Sequence, residues 1–175
     1  SKGYALRHGN VVLDVSEKVT GDANEGMDWA LAKALQAQAD HFTWDCDGLG
    51  ISLKRQVDTA LAGKKMEYHL FKGSESPYDP ELPYTLGGLQ KAKTNRETFF
   101  NKRAQMWWKL RDRFEATYRA VSKGQYINPE ELISLSSEID SIEQLRSEVC
   151  RIPLKRANSG KIQILSKVEM AKKPY

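Results

Sequence analysis

Hydrophobic positions recur along this chain with two different periods, and each change of period marks a new element. From Val11 the period is two: Val11, Leu13 and Val15 fall on one side, Asp14, Ser16 and Lys18 on the other. That pattern predicts a strand with one face toward a core. The β-rich run Tyr4 to His8 precedes it, and Gly9 and Asn10 between the two are a strong turn signal, so an antiparallel hairpin is expected. Thr20 to Asn24 reads as a loop in which Asp22 or Asn24 can cap a helix. Met27, Ala30, Leu31, Ala34, Leu35 and Gln38 then recur at helical spacing. His41 to Asp45 returns to a strand, with Phe42 and Trp44 as its β-preferring bulk. Gly48 and Gly50 allow a tight turn, after which a helix is expected from Ile51 to about Ala62, stopping at Gly63. Met66 to Phe71 is the next strand. The order predicts two successive β-α-β units with parallel returns.

From Lys72 to Gln90 the periodicity disappears: Gly73, Pro77, Pro80, Pro83, Gly87 and Gly88 interrupt every pattern. A loop of this length in a compact domain is usually functional or disordered. Its aromatics, Tyr78 and Tyr84, can either anchor it to the body or contact a ligand. Thr94 and Glu97 form a capping box that is expected to open the longest helix. Phe100, Trp107, Leu110, Phe114, Tyr118 and Val121 are its expected buried stripe, a core face rather than a stacking platform for bases. Gly124 ends it, and Asn128 with Pro129 opens a further helix carrying Leu132, Ile133 and Leu135. Another helical turn is expected from Ser137 through Ile139, Ile142 and Leu145. Arg151 to Arg156 and Lys161 to Ser166 read as a hairpin turning at Ala157 to Gly160, with Ile162 and Ile164 on one face. Both ends of the chain read as cut within an architecture.

At 175 residues and 40% hydrophobic content, one domain over residues 1–175 is expected, with a core that needs no staples. No apolar run approaches the roughly 18 to 20 residues that span a bilayer, and no signal peptide is legible at Ser1 to Tyr4. Cys46 and Cys150 share no metal-binding spacing and make no disulfide framework, so both are expected reduced in a cytosolic protein. The net charge of +4 is modest but segregated. Residues 91–123 hold ten Lys or Arg against three acids, and residues 151–175 hold seven against one. Such segregation suggests basic surfaces for a polyanion beside an acidic region that could hold cations, although a solvated helix face and a frayed basic tail would look the same.

The chemistry gathers at Asp45, Cys46, Asp47, Gly48, Leu49 and Gly50. A strand ending in a carboxylate and passing through glycines into a helix places that carboxylate at the carboxyl edge of a sheet, where open α/β sheets bind ligands and metals. The plain alternative is that Asp45 or Asp47 caps the following helix. There is no phosphate-cradling Gly-rich loop with Lys and Ser or Thr, and no nucleophile elbow. The histidines, His8, His41 and His69, share no metal-ligand spacing, and strand patterns make two of them ordinary sheet residues. Carboxylates suit hard ions such as Mg²⁺ or Mn²⁺. Two-metal phosphodiester cleavage would need further acids from other elements.

The strand pair, helix, and strand ending in Asp-x-x-Gly-x-Gly at Asp45 to Gly50 resemble the nuclease domain of the large terminase subunits of tailed bacteriophages. The segment Ser159 to Lys167 resembles that family's late hairpin, and the likeness covers essentially the whole chain. The resemblance implies an α/β, ribonuclease H-like fold with a mixed central sheet flanked by helices. It implies a two-metal endodeoxyribonuclease using Mg²⁺ or Mn²⁺, which cuts concatemeric viral DNA when packaging starts and ends. Double-stranded viral DNA, the terminase ATPase domain, the small subunit and the portal are the implied partners, in the host cytoplasm and away from any membrane. Asp45 matches the family's second metal-binding acid, Asp47 is the neighbouring candidate, and Lys167 matches a lysine that could balance phosphate charge. The family's first and last acids have no match, and Asp14 is a poor substitute by position, so either the ends are trimmed, with the ATPase domain before Ser1, or this copy is inactive; trimmed ends are expected. A junction resolvase or transposase core, and a non-catalytic docking module, are the alternatives.

Overall fold

The computed structural model describes residues 1–84, 93–156, 159–166, 169–170 and 172. They divide into two compact units, Ser1–Lys72 with Ser134–Ile142, and Gly73–Ile133 with Glu143–Tyr175.

The first unit opens with β1 (Lys2–His8) and β2 (Val11–Lys18), antiparallel as expected and joined through Gly9 in a left-handed conformation. The side of β2 that turns inward differs from the expectation. Val11 and Leu13 are 37% and 43% exposed, while Asp14 and Ser16 are half-buried. The reason is an ion pair: Lys33 of α1 (Ala23–Gln36) meets Asp14 at 2.9 Å, and the same ammonium lies over the Tyr4 ring. A shift of register between Leu6 and Arg7 accompanies this arrangement. Asp22 caps α1 through the Glu25 amide, and Met27, Leu31 and Ala34 are buried as their spacing implies.

After α1 come β3 (His41–Asp45), a 3₁₀ turn over Gly48–Leu53, α2 (Lys54–Leu61) and β4 (Glu67–Phe71). β3 and β4 are parallel, from His41 opposite Glu67 to Asp45 opposite Phe71, so the second β-α-β unit forms as expected. The first does not close in the same way. Among the described residues β2 pairs with β1 and with β7 (Ser134–Leu135), and β3 pairs with β4. The helix expected to carry Leu132, Ile133 and Leu135 is only a 3₁₀ turn over Pro129–Glu131, after which the chain extends into β7 and lies parallel to β2. Pairing with the open edge of β2 satisfies backbone groups that a solvated helix would have bonded internally. Tyr4, Met27, Leu31, Phe42, Trp44 and Val57 lie in one core cluster of this unit.

The second unit carries β5 (Pro83–Tyr84), β6 (Lys93–Thr94), α3 (Asn95–Thr98), α4 (Lys102–Lys123), α5 (Ile142–Cys150), β8 (Leu154–Arg156) and β9 (Ile162–Ile164); Ile142, the first residue of α5, counts with the other unit. The capping box at Thr94 and Glu97 is present but opens the short α3, not the longest helix. Phe99 breaks the run with extended backbone; it is fully buried and bridges to Ile162. Asn101 then caps α4 anew. The expected stripe therefore holds only in part: Trp107, Leu110 and Phe114 are half-buried, but Phe100, Tyr118 and Val121 are 50%, 58% and 79% exposed, and Lys102, Ala104 and Gln105 are buried. The loop after Lys72 explains the polar burial. Gln105 accepts from the Tyr78 amide at 2.7 Å and donates to its carbonyl at 3.0 Å, and Asn95 donates to the Tyr78 and Asp79 carbonyls. Tyr84 packs edge-on against Phe99 and bonds Asp112. Both tyrosines thus anchor the loop to the body. Residues 85–90 of that loop, and Ala157 and Asn158 of the last hairpin's turn, lie outside the described residues. β8 and β9 pair antiparallel as expected, with Ile162 buried.

Candidate metal centre at the carboxyl end of β3

Alternation along β3 buries Phe42 and Trp44 and turns His41, Thr43 and Asp45 outward. The ladder to β4 runs through Asp45, and the Cys46 amide extends it by donating to the Phe71 carbonyl at 2.8 Å. With the Cys46 side chain buried, the backbone around Asp45 is fixed on both sides. The chain then turns at once. The Asp47 amide donates to Asp45 Oδ1 at 3.1 Å, and Trp44 Nε1 donates to the Gly50 carbonyl at 2.9 Å. Gly50 passes so close that a Cβ there would lie 2.1 Å from the Asp45 carbonyl oxygen. Gly48 supplies a positive φ of 60°.

This geometry separates the two sequence readings of the acids. Asp47 occupies the N-cap position of the 3₁₀ turn, yet its side chain makes no capping bond. Asp45 holds the turn through one carboxylate oxygen while remaining exposed at the strand end. Hard oxygen donors two residues apart on a rigid, solvent-open turn fit an oxygen-seeking divalent ion in chemistry. Among the described residues, no third His, Cys, Asp or Glu converges on this pair at ligand distance. Asp14 does not join it, being engaged with Lys33. Lys167 lies outside the described residues.

On either side of position 167 the chain shows a feature missed in the sequence. Ser166 and Glu169 form a reciprocal cap: the Ser166 amide donates to Glu169 Oε2 at 2.9 Å, and the Glu169 amide donates to Ser166 Oγ at 3.2 Å. Lys155 meets the same carboxylate at 2.7 Å. The Lys155 bond first, then those from Ser166, hold the Glu169 carboxyl down at about 2. The Ser-x-x-Glu spacing was the available signal.

The basic stretch along α4 is less open to an outside anion than its charge suggests. Lys102 is buried against Glu75 and lies 4.2 Å from the Tyr78 ring centroid. Arg111 pairs with Asp112 and Glu115, Arg113 donates to the Glu130 and Leu132 carbonyls, and Arg119 bonds Gln125. Lys102 and Arg113 tie α4 to other segments of the unit, whereas Arg111 pairs within its own helix.

No protein-family model matches the chain, and no curated protein does. Solved structures do. The chain is similar to a mutant nuclease domain of the large terminase subunit of bacterial virus Sf6 with manganese, at 43% identity and a TM-score of 0.90 over 98% of this chain and 75% of that one. It is equally similar to the nuclease domain of that subunit without the mutation, at 44% identity and a TM-score of 0.89 over 97% of this chain and 73% of that one. A mutant of the same domain with calcium matches at 42% identity and a TM-score of 0.89. Identity at this level, over 97–98% of this chain and with a matching backbone, places the chain in the family of nuclease domains of viral large terminase subunits.

Proposed function

We propose that residues 1–175 act as one ribonuclease H-like nuclease domain, a metal-dependent endonuclease of the packaging terminase that cuts concatemeric viral DNA at the start and end of packaging. The observation that carries this reading is Asp45, an exposed carboxylate held at the carboxyl end of β3 by Gly50 and the Asp47 amide, in a chain similar to a nuclease domain solved with manganese. Asp45 is the proposed principal ligand and Asp47 its neighbour, for Mg²⁺ or Mn²⁺. Two ions are proposed for the complete site, with further acids completing the ligand set. A bound divalent ion supplies a water acidified toward neutrality and a positive charge for the phosphate oxygens. The protein's part is to keep Asp45 fixed while the turn carries Asp47 beside it. Lys167 is proposed to offset phosphate charge.

The DNA duplex, the ATPase domain, the small subunit and the portal are the proposed partners, in the host cytoplasm. The test is nicking of supercoiled plasmid with Mn²⁺, Mg²⁺ or EDTA, by this chain and by one carrying flanking sequence at both ends. Metal-dependent nicking by the longer chain that disappears with Asp45→Ala is the expected result. Nicking that survives Asp45→Ala would refute the site. Absence of nicking by either chain, with no Mn²⁺ effect on thermal stability, would favour a docking module instead. Preference for branched over linear duplex would favour a resolvase.

A further inference from the structure

The parallel register of β3 and β4 brings together two histidines that lie 28 residues apart in the chain. His41 stands opposite Glu67, and Thr43 opposite His69, so all four side chains share one outward face of the pair. His41 Nδ1 lies 3.4 Å from His69 Nε2 and 3.7 Å from Glu67 Oε2. One ligand atom from each of the three residues falls within 4.8 Å of the others, and all three residues are exposed. Tetrahedral zinc with bonds of about 2.0 to 2.1 Å sets neighbouring ligand atoms roughly 3.3 Å apart. The His41 to His69 separation already matches that edge, the His41 to Glu67 separation is a few tenths of an ångström longer, and the exposed Glu67 side chain must swing further to meet His69, within 4.8 Å.

We propose that His41, Glu67 and His69 form a surface site for a borderline transition-metal ion of the Zn²⁺ class, with water completing its shell. The donor set decides the class. Two imidazoles and one carboxylate are the ligand type of zinc, copper and nickel, whereas Mg²⁺ and Ca²⁺ take oxygen. The site is not the Asp45 centre. His41 and Asp45 sit at opposite ends of β3, four residues apart, which at about 3.3 Å per residue is roughly 13 Å. An ion here clips the amino-terminal part of β3 to β4, away from the proposed acids at the carboxyl end of β3. It stiffens the ladder without contributing a ligand to those acids.

The experiment is calorimetric titration of the full chain with Zn²⁺ in excess Mg²⁺, which occupies oxygen-only sites. One Zn²⁺ per chain is expected. Losing even an outer partner of a metal ligand costs about ten-fold or more in affinity, so His69→Ala and His41→Ala are expected to weaken this event by more than about ten-fold. Glu67→Gln weakens it less, and Asp45→Ala leaves it unchanged. Co²⁺ added to the unaltered chain supplies an independent measure: visible absorption bands of a low-coordinate site, abolished by His69→Ala. No Zn²⁺ binding, binding that persists in both histidine variants, or binding removed by Asp45→Ala would each overturn the assignment. Because the readout is binding rather than cleavage, failure here and failure of the nuclease reading are distinguishable.

Discussion

Gly50 shows how a single residue without a side chain positions an acid. A methyl group there would meet the Asp45 carbonyl oxygen and carbon, both backbone atoms, at 2.1 and 2.9 Å. Gly50→Ala must therefore move the strand end that carries Asp45. Overpacking of this kind costs about 1–3 kcal/mol, and we expect metal-dependent cleavage to fall with it. At Gly48 nothing lies within 4 Å, so Gly48→Ala meets only the left-handed backbone cost of about 1–2 kcal/mol. Urea unfolding of both variants, with cleavage assays beside it, checks the ranking; equal loss of activity in both would remove the steric argument. Glu169 yields a pH prediction. Its carboxyl is lowered from 4.5 to about 2 by Lys155 and Ser166. A depressed carboxylate stabilises the folded state above the unfolded value and loses that contribution as pH falls through the folded one. The cap at Ser166 is expected to hold at pH 5 and loosen between 4.5 and about 2. Carboxyl NMR titration of Glu169 checks it; Lys155→Ala should move the midpoint upward.

Among the elements, those with a complete local code are legible in the sequence and those decided by distant partners are not. The hairpin of β1 and β2 is written in Gly9 and Asn10, the cap of α1 in Asp22, and the turn after β3 in Gly48 and Gly50. The side of β2 escapes such a reading because the Asp14 to Lys33 pair turns a polar residue inward, which apolar periodicity does not record. The capping box at Thr94 is legible as chemistry but not in the length of its helix, since Phe99 is drawn into the core beside Ile162. The place of Asp45 at the end of β3 is legible because strand, acid and glycines are contiguous. His41 and His69 are not, because their meeting depends on the β3 and β4 register. The polar core of the second unit carries its own prediction. Gln105 is fully buried and satisfies both backbone groups of Tyr78. Gln105→Leu keeps volume but strands the Tyr78 amide, at about 1–3 kcal/mol for the group left unsatisfied, while the Tyr78 carbonyl keeps its bond from Asn95. Chemical denaturation and proteolysis near Tyr78 are expected to show a weaker hold on the loop. A variant as stable as the parent would mean water replaces the glutamine.

For the molecule as a whole, charge separates stability from recognition. Lys102, Arg111, Arg113 and Arg119 are occupied within the fold, so fewer of the cations in residues 91–123 meet phosphates than their number suggests. DNA affinity is nonetheless expected to fall with salt at about 0.9 log unit per phosphate neutralised, for each log unit of salt. The slope measured by fluorescence anisotropy should therefore be unchanged in Lys102→Ala and Arg113→Ala, whose cations are engaged within the unit. A slope that falls by about one in either variant would mean that its bonds open on binding.

The late return of Ser134–Ile142 to the first unit has a consequence for biosynthesis. The Ser134 amide donates to the Asn10 carbonyl, Ser136 to Val12, and Ser141 Oγ to Val15 across 126 residues of chain. Ribosomes add about 5–20 residues per second, so the edge of β2 waits on the order of ten seconds before β7 covers it. A nascent chain halted before Ser134 keeps Val11 and Val12 on an uncovered strand edge, the kind of template on which other chains pair. Shielding of the β2 edge at Val11 and Val12 until Ser134–Leu135 is made therefore bears on how cleanly this unit folds during synthesis.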